Sequence, residues 1–151
     1  NESIKNYCTP ILIMNKWDLL NEDEKLRINS TLNSHLKKFN WIKVIRISAL
    51  TKKGLDKFSK TINEIYLQLN SRIDTSDLNL FFRELWVSSP PHPFRGRRAK
   101  LKYVTQYDTN PPSFSFNLSS RIPKNYEAFI ENKIRKEFKF SNVSMLLKFK
   151  N

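Results

Sequence analysis

The chain has 151 residues, 39% of them hydrophobic and 13% aromatic with eleven Phe, so it carries enough apolar material for a folded core and lacks a disordered composition. No apolar run approaches the roughly 18 residues that cross a bilayer, and no charged-then-apolar leader opens the sequence, so neither a membrane protein nor a secreted one is expected. Lys and Arg number 27 against 14 Asp and Glu, a net +13 that draws phosphate backbones or anionic membranes whatever the fold, although an Asn-, Lys-, Ile- and Phe-rich composition also follows from an AT-rich genome.

Pro10-Ile11-Leu12-Ile13-Met14 is a short continuous apolar run ending at Asn15, the pattern of a parallel strand buried on both faces. Asn21 with Glu24 three residues on resembles a capping box, and Leu26, Leu32 and Leu36 predict an amphipathic helix to about Phe39. Trp41 to Ile47 reads as a second strand, and Leu55, Phe58, Ile62, Ile65, Tyr66 and Leu69 predict a helix to about Arg72. Strand, helix, strand, helix is the grammar of a parallel α/β sheet. Two of each cannot cover such a sheet, so residues 1–74 are expected to be the end of a larger doubly wound domain.

The grammar changes at Ser71 to Asp77, a polar stretch that places a domain boundary at 74/75. Leu78, Phe81, Phe82, Leu85 and Trp86 predict a helix stopped by Ser88-Ser89-Pro90-Pro91. Leu101 to Tyr107 and Ser113 to Leu118 alternate as strands around Asp108 to Pro112, with Phe114, Phe116 and Leu118 on one face. Tyr126, Phe129, Ile130, Ile134 and Phe138 form a helical stripe, and Met145 to Phe149 a last strand. Residues 75–151 are thus expected as an α+β domain of order α-β-β-α-β, with helices on one face of a three-stranded sheet.

The sharpest chemical signal is Asn15-Lys16-Trp17-Asp18, directly after the first strand, because Asn-Lys-x-Asp at that position is how Ras-like GTPases read guanine. A carboxylate at Asp18 accepts from the ring N–H and exocyclic amine of guanine, whereas adenine leaves it unpaired, and sites of this kind reject the wrong ligand by about 10⁴-fold or more. Asn15 would bond the base edge and brace the loop, and the stem of Lys16 would cover the base face. The motif alone would arise roughly 0.07 times by chance in a chain of this composition, so position matters. After the second strand, Ser48-Ala49-Leu50 falls where these GTPases carry a second base loop, in which the Ala N–H meets the guanine oxygen. Both lie at strand carboxyl ends, where open α/β sheets bind ligands. The bland alternative is an ordinary turn after a buried strand.

No G-x-x-x-x-G-K-[ST] loop exists, and Gly54 and Gly96 are the only glycines. The groups that cradle the GTP phosphates, hold Mg²⁺ and position water are expected upstream of Asn1, and this sequence alone is expected to be inactive in hydrolysis. Between Arg95 and Lys102 lie five cations, Arg95, Arg97, Arg98, Lys100 and Lys102, with Tyr103 and Tyr107 on the next strand for stacking. They are RNA-contact candidates or a solvated basic loop. Lys133, Arg135, Lys136 and Lys139 either extend that patch or form the outer face of the later helix. The single Cys8 excludes an internal disulfide, and with only His35 and His92 no cluster has metal-ligand spacing; a reducing, cytoplasmic compartment is expected and a metal site is not. Neither His92 nor Cys8 sits in a catalytic pattern.

Residues 15–18 and 48–50, with His92-Pro93, Arg95-Gly96-Arg97-Arg98, Lys100, Tyr103, Thr105-Gln106 and Asn110-Pro111-Pro112, resemble the EngA (Der) family of ribosome-assembly GTPases over nearly the whole chain. The resemblance implies the end of a second P-loop-type GTPase domain followed by a KH-like domain. It also implies GTP as ligand, Mg²⁺ held in the full-length parent, and a bacterial, cytoplasmic protein that assists large-subunit assembly. The partners implied are ribosomal RNA, the large ribosomal subunit and the upstream GTPase domains, with no membrane. The G-x-x-G loop by which KH domains clamp RNA is absent. That absence leaves open a non-enzymatic KH-like protein-interaction module. The tail of an Era-like single-domain GTPase is a further alternative, though it should have kept G-x-x-G.

Overall fold

The computed structural model describes residues 7–37 and 39–151. Residues 1–6 of the expected first domain, and Lys38 within the helix expected to reach Phe39, lie outside the described residues. The described residues form two compact units, divided between Leu67 and Gln68.

In the first unit β1 (Ile11–Met14) runs parallel to β2 (Lys43–Arg46), with Ile11 opposite Lys43 and Met14 opposite Arg46. Helix α1 (Glu22–His35) opens with a reciprocal cap: Asn21 Oδ1 accepts from the Glu24 N–H, and the Glu24 carboxylate accepts from the Asn21 N–H, both at 2.9 Å. Two of the helix's orphan donors are thereby satisfied. The helix ends at His35, short of Phe39, and β2 is shorter than the expected 41–47, because Trp41 and Ile42 complete a turn in which the Ile42 N–H donates to Phe39 O. Helix α2 (Leu55–Leu69) ends before the expected Arg72.

One expectation is corrected here. No residue of β1 is buried, and Ile13 is 41% exposed, so the strand is not covered on both faces. Among the described residues the sheet has two strands, too few to carry helices on each side.

The second unit runs α3 (Thr75–Ser88), β3 (Leu101–Thr109), β4 (Pro112–Leu118), α4 (Lys124–Glu137) and β5 (Leu146–Lys150). Strand order is β3-β4-β5, β3 and β4 antiparallel, β4 and β5 parallel. Phe114, Phe116 and Leu118 alternate onto one face, where with Leu78, Phe82, Val104, Ile130, Ile134 and Phe140 they are fully or almost fully buried. Each such side chain contributes about 1.5–3 kcal/mol by leaving water, so this unit holds the principal core. Phe82 of α3 meets Phe116 of β4 edge-to-face at 4.9 Å.

Two polar side chains lock this unit. Asn79 of α3 accepts from the Val104 N–H at 2.9 Å and donates to Val104 O at 2.8 Å, pairing with a β3 residue as a neighbouring strand would. Gln106, 6% exposed, accepts from the Ile73 N–H and donates to Ser71 O, at 2.8 and 2.9 Å. Gln68 accepts from the Asn142 N–H at 3.1 Å. Residues 68–73 are therefore bonded into the second unit, ahead of the 74/75 boundary expected from composition.

Candidate functional site

Asn15 to Asp18 follow β1 directly, and Ser48 to Leu50 follow β2. The ladder between the strands continues past both ends: Ile47 N–H donates to Met14 O at 2.9 Å and Trp17 N–H to Ile47 O at 3.0 Å. The chain then turns sharply. Lys16 takes a left-handed conformation, φ 60°, and Trp17–Leu19 form one 3-10 turn. Asn15 Oδ1 accepts from its neighbour Lys16 N–H at 2.8 Å and from the Ala49 N–H at 3.1 Å. One amide oxygen thus joins the two loops.

The second loop is braced from within. Ser48 is 2% exposed; its N–H donates to Lys53 O at 3.0 Å and its hydroxyl accepts from the Thr51 N–H at 3.1 Å. Gly54 closes the loop at φ +81°, where an added Cβ would lie 2.5 Å from Arg46 O, so a side chain there would strike backbone. The Arg46 guanidinium donates to Asn29 Oδ1 and lies over the Trp17 ring, 5.2 Å from its centroid.

A cleft of about 450 Å³ opens between these parts, lined by Trp17, Asp18, Lys25, Arg46, Ile47, Ser48, Lys53, Gly54 and Lys57. Asp18 and Ser48 thus line the cleft; Asn15, Lys16, Ala49 and Leu50 do not, and Leu50 is 88% exposed. The Asp18 carboxylate is exposed and has no hydrogen-bond or ion-pair partner among the described residues, so its oxygens are available to a ligand's N–H groups. That fits guanine. The Ala49 N–H, expected to meet the guanine oxygen, is held by Asn15 instead, so a base would have to share that hydrogen or displace the amide. Sequence reasoning missed Asn29, Arg46 and Gly54. Only Gly54 carried a signal, as one of two glycines in the chain.

The five cations of the basic segment are all exposed, and none forms an ion pair among the described residues. Phe94 and Arg97 exchange both backbone bonds, at 2.9 and 3.1 Å, around Arg95 (φ 50°) and Gly96 (φ 75°). Positive φ at both central positions is the signature of a type I′ turn. The segment is anchored where Ala99 O accepts from Trp86 Nε1 at 3.1 Å, and where Lys100 and Ser119 exchange two bonds of 2.9 Å. Arg97 and Arg98 therefore project from a fixed base.

Arg135 does not belong with the surface cations of its helix. It is 8% exposed and donates to Phe140 O and Val143 O at 3.1 and 2.7 Å and to Glu131 Oε1 at 2.6 Å. Burial pulls its pKa down while Glu131 pushes it back up. Lys136 and Lys139 remain exposed, and Lys133 lies 5.2 Å from the Phe129 ring centroid. No group of three His, Cys, Asp or Glu that could hold a metal occurs among the described residues, and none of their helices is long and apolar enough to cross a membrane.

Residues 72–150 match the family described as KH-domain-like of EngA bacterial GTPase enzymes, C-terminal. The chain is similar to the GTPase Der of Chlorobium limicola, 37% identical across 92% of the chain and 33% of that relative. It is 36% identical to the GTPase Der of Chlorobium luteolum over the same shares. A GTPase Der of Chlorobium phaeobacteroides is 35% identical across 99% of the chain and 35% of its own length. The chain spans about a third of the length of these curated relatives.

Proposed function

The chain belongs to the KH-domain-like family of EngA bacterial GTPase C-termini, and from that premise we propose that it supplies the guanine-reading end of a GTP-hydrolysing protein together with a module that meets ribosomal RNA. The observation that carries the first half is the Asp18 carboxylate, without a partner among the described residues, at a cleft whose two loops are tied by Asn15. Asp18 accepts from the ring N–H and amine of guanine, Asn15 holds the second loop in register, and the Lys16 stem lies against the base. GTP supplies the transferable phosphoryl group. Its phosphates and Mg²⁺ are held by residues of the parent protein outside this sequence, which has no phosphate loop.

The second half rests on Arg95, Arg97, Arg98, Lys100 and Lys102, exposed and without an ion-pair partner among the described residues, on an anchored segment. Phosphate oxygens are the complementary ligand. The parent works in the cytoplasm in large-subunit assembly, with its other GTPase domains and the large ribosomal subunit as partners. The missing G-x-x-G loop favours a second reading, in which the KH-like unit docks on protein.

Amide NMR titration of the chain with GTP, ATP and xanthosine triphosphate tests the base assignment. GTP should shift the amides of residues 15–18 and 48–50, weakly because phosphate contacts are missing, and ATP should not. Asp18→Asn replaces an acceptor by a donor and should transfer the response to xanthosine triphosphate. An equal response to ATP, or Asp18→Asn without effect on base choice, would overturn the assignment.

A further inference from the structure

The second unit's sheet has one face turned from the core. Val104, Phe114, Phe116 and Leu118 point inward and are buried, so Tyr103, Thr105, Ser115 and Asn117, which alternate with them, point out. Cross-strand register sets Tyr103 beside Asn117 and Asn117 beside Lys150, then Thr105 beside Ser115 and Ser115 beside Lys148. Two contacts show that these side chains share one surface. Asn117 Nδ2 donates to the Tyr103 hydroxyl at 3.2 Å, and the Lys148 ammonium reaches across the middle strand to lie 4.8 Å from the Tyr107 ring centroid.

The result is a shallow trough. Tyr103 and Tyr107, 49% and 41% exposed, form one wall on β3; Ser115 and Asn117 form a low polar floor on β4; Lys148 and Lys150, both exposed, form the other wall on β5. An apolar partner surface would find too little carbon here, and a bilayer would find rings lying along a strand rather than projecting from a helix. Tyr103 and Tyr107 stand four residues apart on β3, with a register shift between Gln106 and Asp108, which is at most about 13 Å along the strand, so each can take its own base. Flat, half-exposed rings with amides and ammonium groups alongside match bases linked by phosphates.

We propose that this outward sheet face binds a single-stranded stretch of RNA, with bases stacked on Tyr103 and Tyr107 and phosphates paired with Lys148 and Lys150. It deepens, and rests on, the reading that this unit meets RNA; the face adjoins the Arg95–Lys102 segment, whose Lys102 precedes Tyr103 on β3, but is built from other side chains. On binding, a base takes the Tyr107 ring face from the Lys148 ammonium, which moves to phosphate and keeps a partner.

The test is fluorescence anisotropy on the full 151-residue chain, using a labelled single-stranded oligouridylate and an RNA duplex across a salt series. Tyr103→Ala with Tyr107→Ala should weaken the single strand by about a hundredfold, roughly tenfold per stacked base, and leave the duplex unchanged. The paired Tyr→Phe variant should restore affinity, since the ring and not the hydroxyl does the stacking. Lys148→Ala with Lys150→Ala should flatten the slope of log affinity against log salt by about 1.4, whereas the tyrosine variants should not change it. Circular dichroism confirms that the variants fold. Wild-type affinity in the Tyr→Ala pair overturns the proposal. If Arg97→Ala with Arg98→Ala abolishes binding and the tyrosine pair does nothing, RNA contact stands and the sheet face falls. No RNA binding by the wild-type chain at low salt overturns both.

Discussion

Asn15 Oδ1 accepts the Ala49 N–H at 3.1 Å, joining loops 34 residues apart in sequence through one side-chain atom. The parallel pairing of β1 and β2 brings the loops to the same end of the sheet, but pairing alone leaves each free to move once it clears the strands. The amide spans that gap. Its nitrogen has no hydrogen-bond partner among the described residues.

Asn15→Ala should therefore loosen the second loop more than it destabilises the unit. The two lost bonds, from the Lys16 and Ala49 N–H groups, are both exposed, so each costs at the low end of about 0.5–1.5 kcal/mol. Amide hydrogen exchange at Ala49 should quicken several-fold, while amides in β1 and β2 keep their protection. Unchanged exchange at Ala49 would mean that Asn15 does not brace the loop.

The two glycines separate conformational strain from collision. Both have positive φ, +81° at Gly54 and +75° at Gly96, but a Cβ at Gly54 meets Arg46 O at 2.5 Å and one at Gly96 meets nothing within 4 Å. Gly96→Ala should cost about 1 kcal/mol, the left-handed penalty alone. Gly54→Ala adds a clash with backbone and should cost about 3 kcal/mol. Because Arg46 would shift, its contacts with Asn29 and Trp17 should loosen as well. Urea unfolding followed by NMR, with Trp17 and Trp41 reporting the first unit and Trp86 the second, should show each effect confined to its own unit. Equal costs would remove the collision at Gly54.

Periodic signals were legible in the sequence. The Tyr126-to-Phe138 stripe became α4, the Phe114, Phe116 and Leu118 alternation became the inward face of β4, and Asn21 with Glu24 became a formed capping box. Polar partners far apart in sequence were not. Gln106 looks like any polar strand residue until Ser71 and Ile73 are folded against it. Arg135 reads with Lys133, Lys136 and Lys139 as part of a basic patch or the helix's outer face, yet it is buried and its partners include Phe140 O and Val143 O, beyond the helix. At the candidate site the two loops could be placed from strand ends, whereas the cleft wall of Arg46 needed Asn29 on a helix 17 residues away.

Arg135 should matter for stability although it faces no ligand. Arg135→Met keeps most of the volume but strips Phe140 O and Val143 O of donors, at about 1–3 kcal/mol for each buried acceptor left unpaired. A loss of about 3 kcal/mol in urea unfolding of the second unit is expected. Glu131→Gln should cost far less, because the Glu131 side chain is 39% exposed and can rehydrate. Comparable losses in the two variants would place the stabilisation in the ion pair rather than in the carbonyl contacts.

Tyr126 gives a pH signature. Its hydroxyl donates to Ser89 O at 2.7 Å, its ring packs against Trp86 and Phe129 with centroids 5.3 Å apart in each case, and burial pushes its pKa up to about 12. The fold therefore favours the neutral phenol, while the unfolded chain ionises near about 10. Between those values the unfolded state binds fewer protons than the folded state, so stability falls as pH rises. The contribution is complete below about pH 10 and disappears by about pH 12, with a total near 2–3 kcal/mol. Tyr126→Phe cannot titrate. At pH 8 it should be less stable than wild type by about 1 kcal/mol, the hydrogen bond to Ser89 being lost. As pH rises the wild type should lose this lead, and the two stability profiles should cross near about pH 11. Urea midpoints for both proteins from pH 8 to 11.5, at fixed ionic strength so that lysine titration is common to the pair, measure the crossing. Parallel profiles would show that Tyr126 ionises as readily in the folded protein as in the unfolded chain.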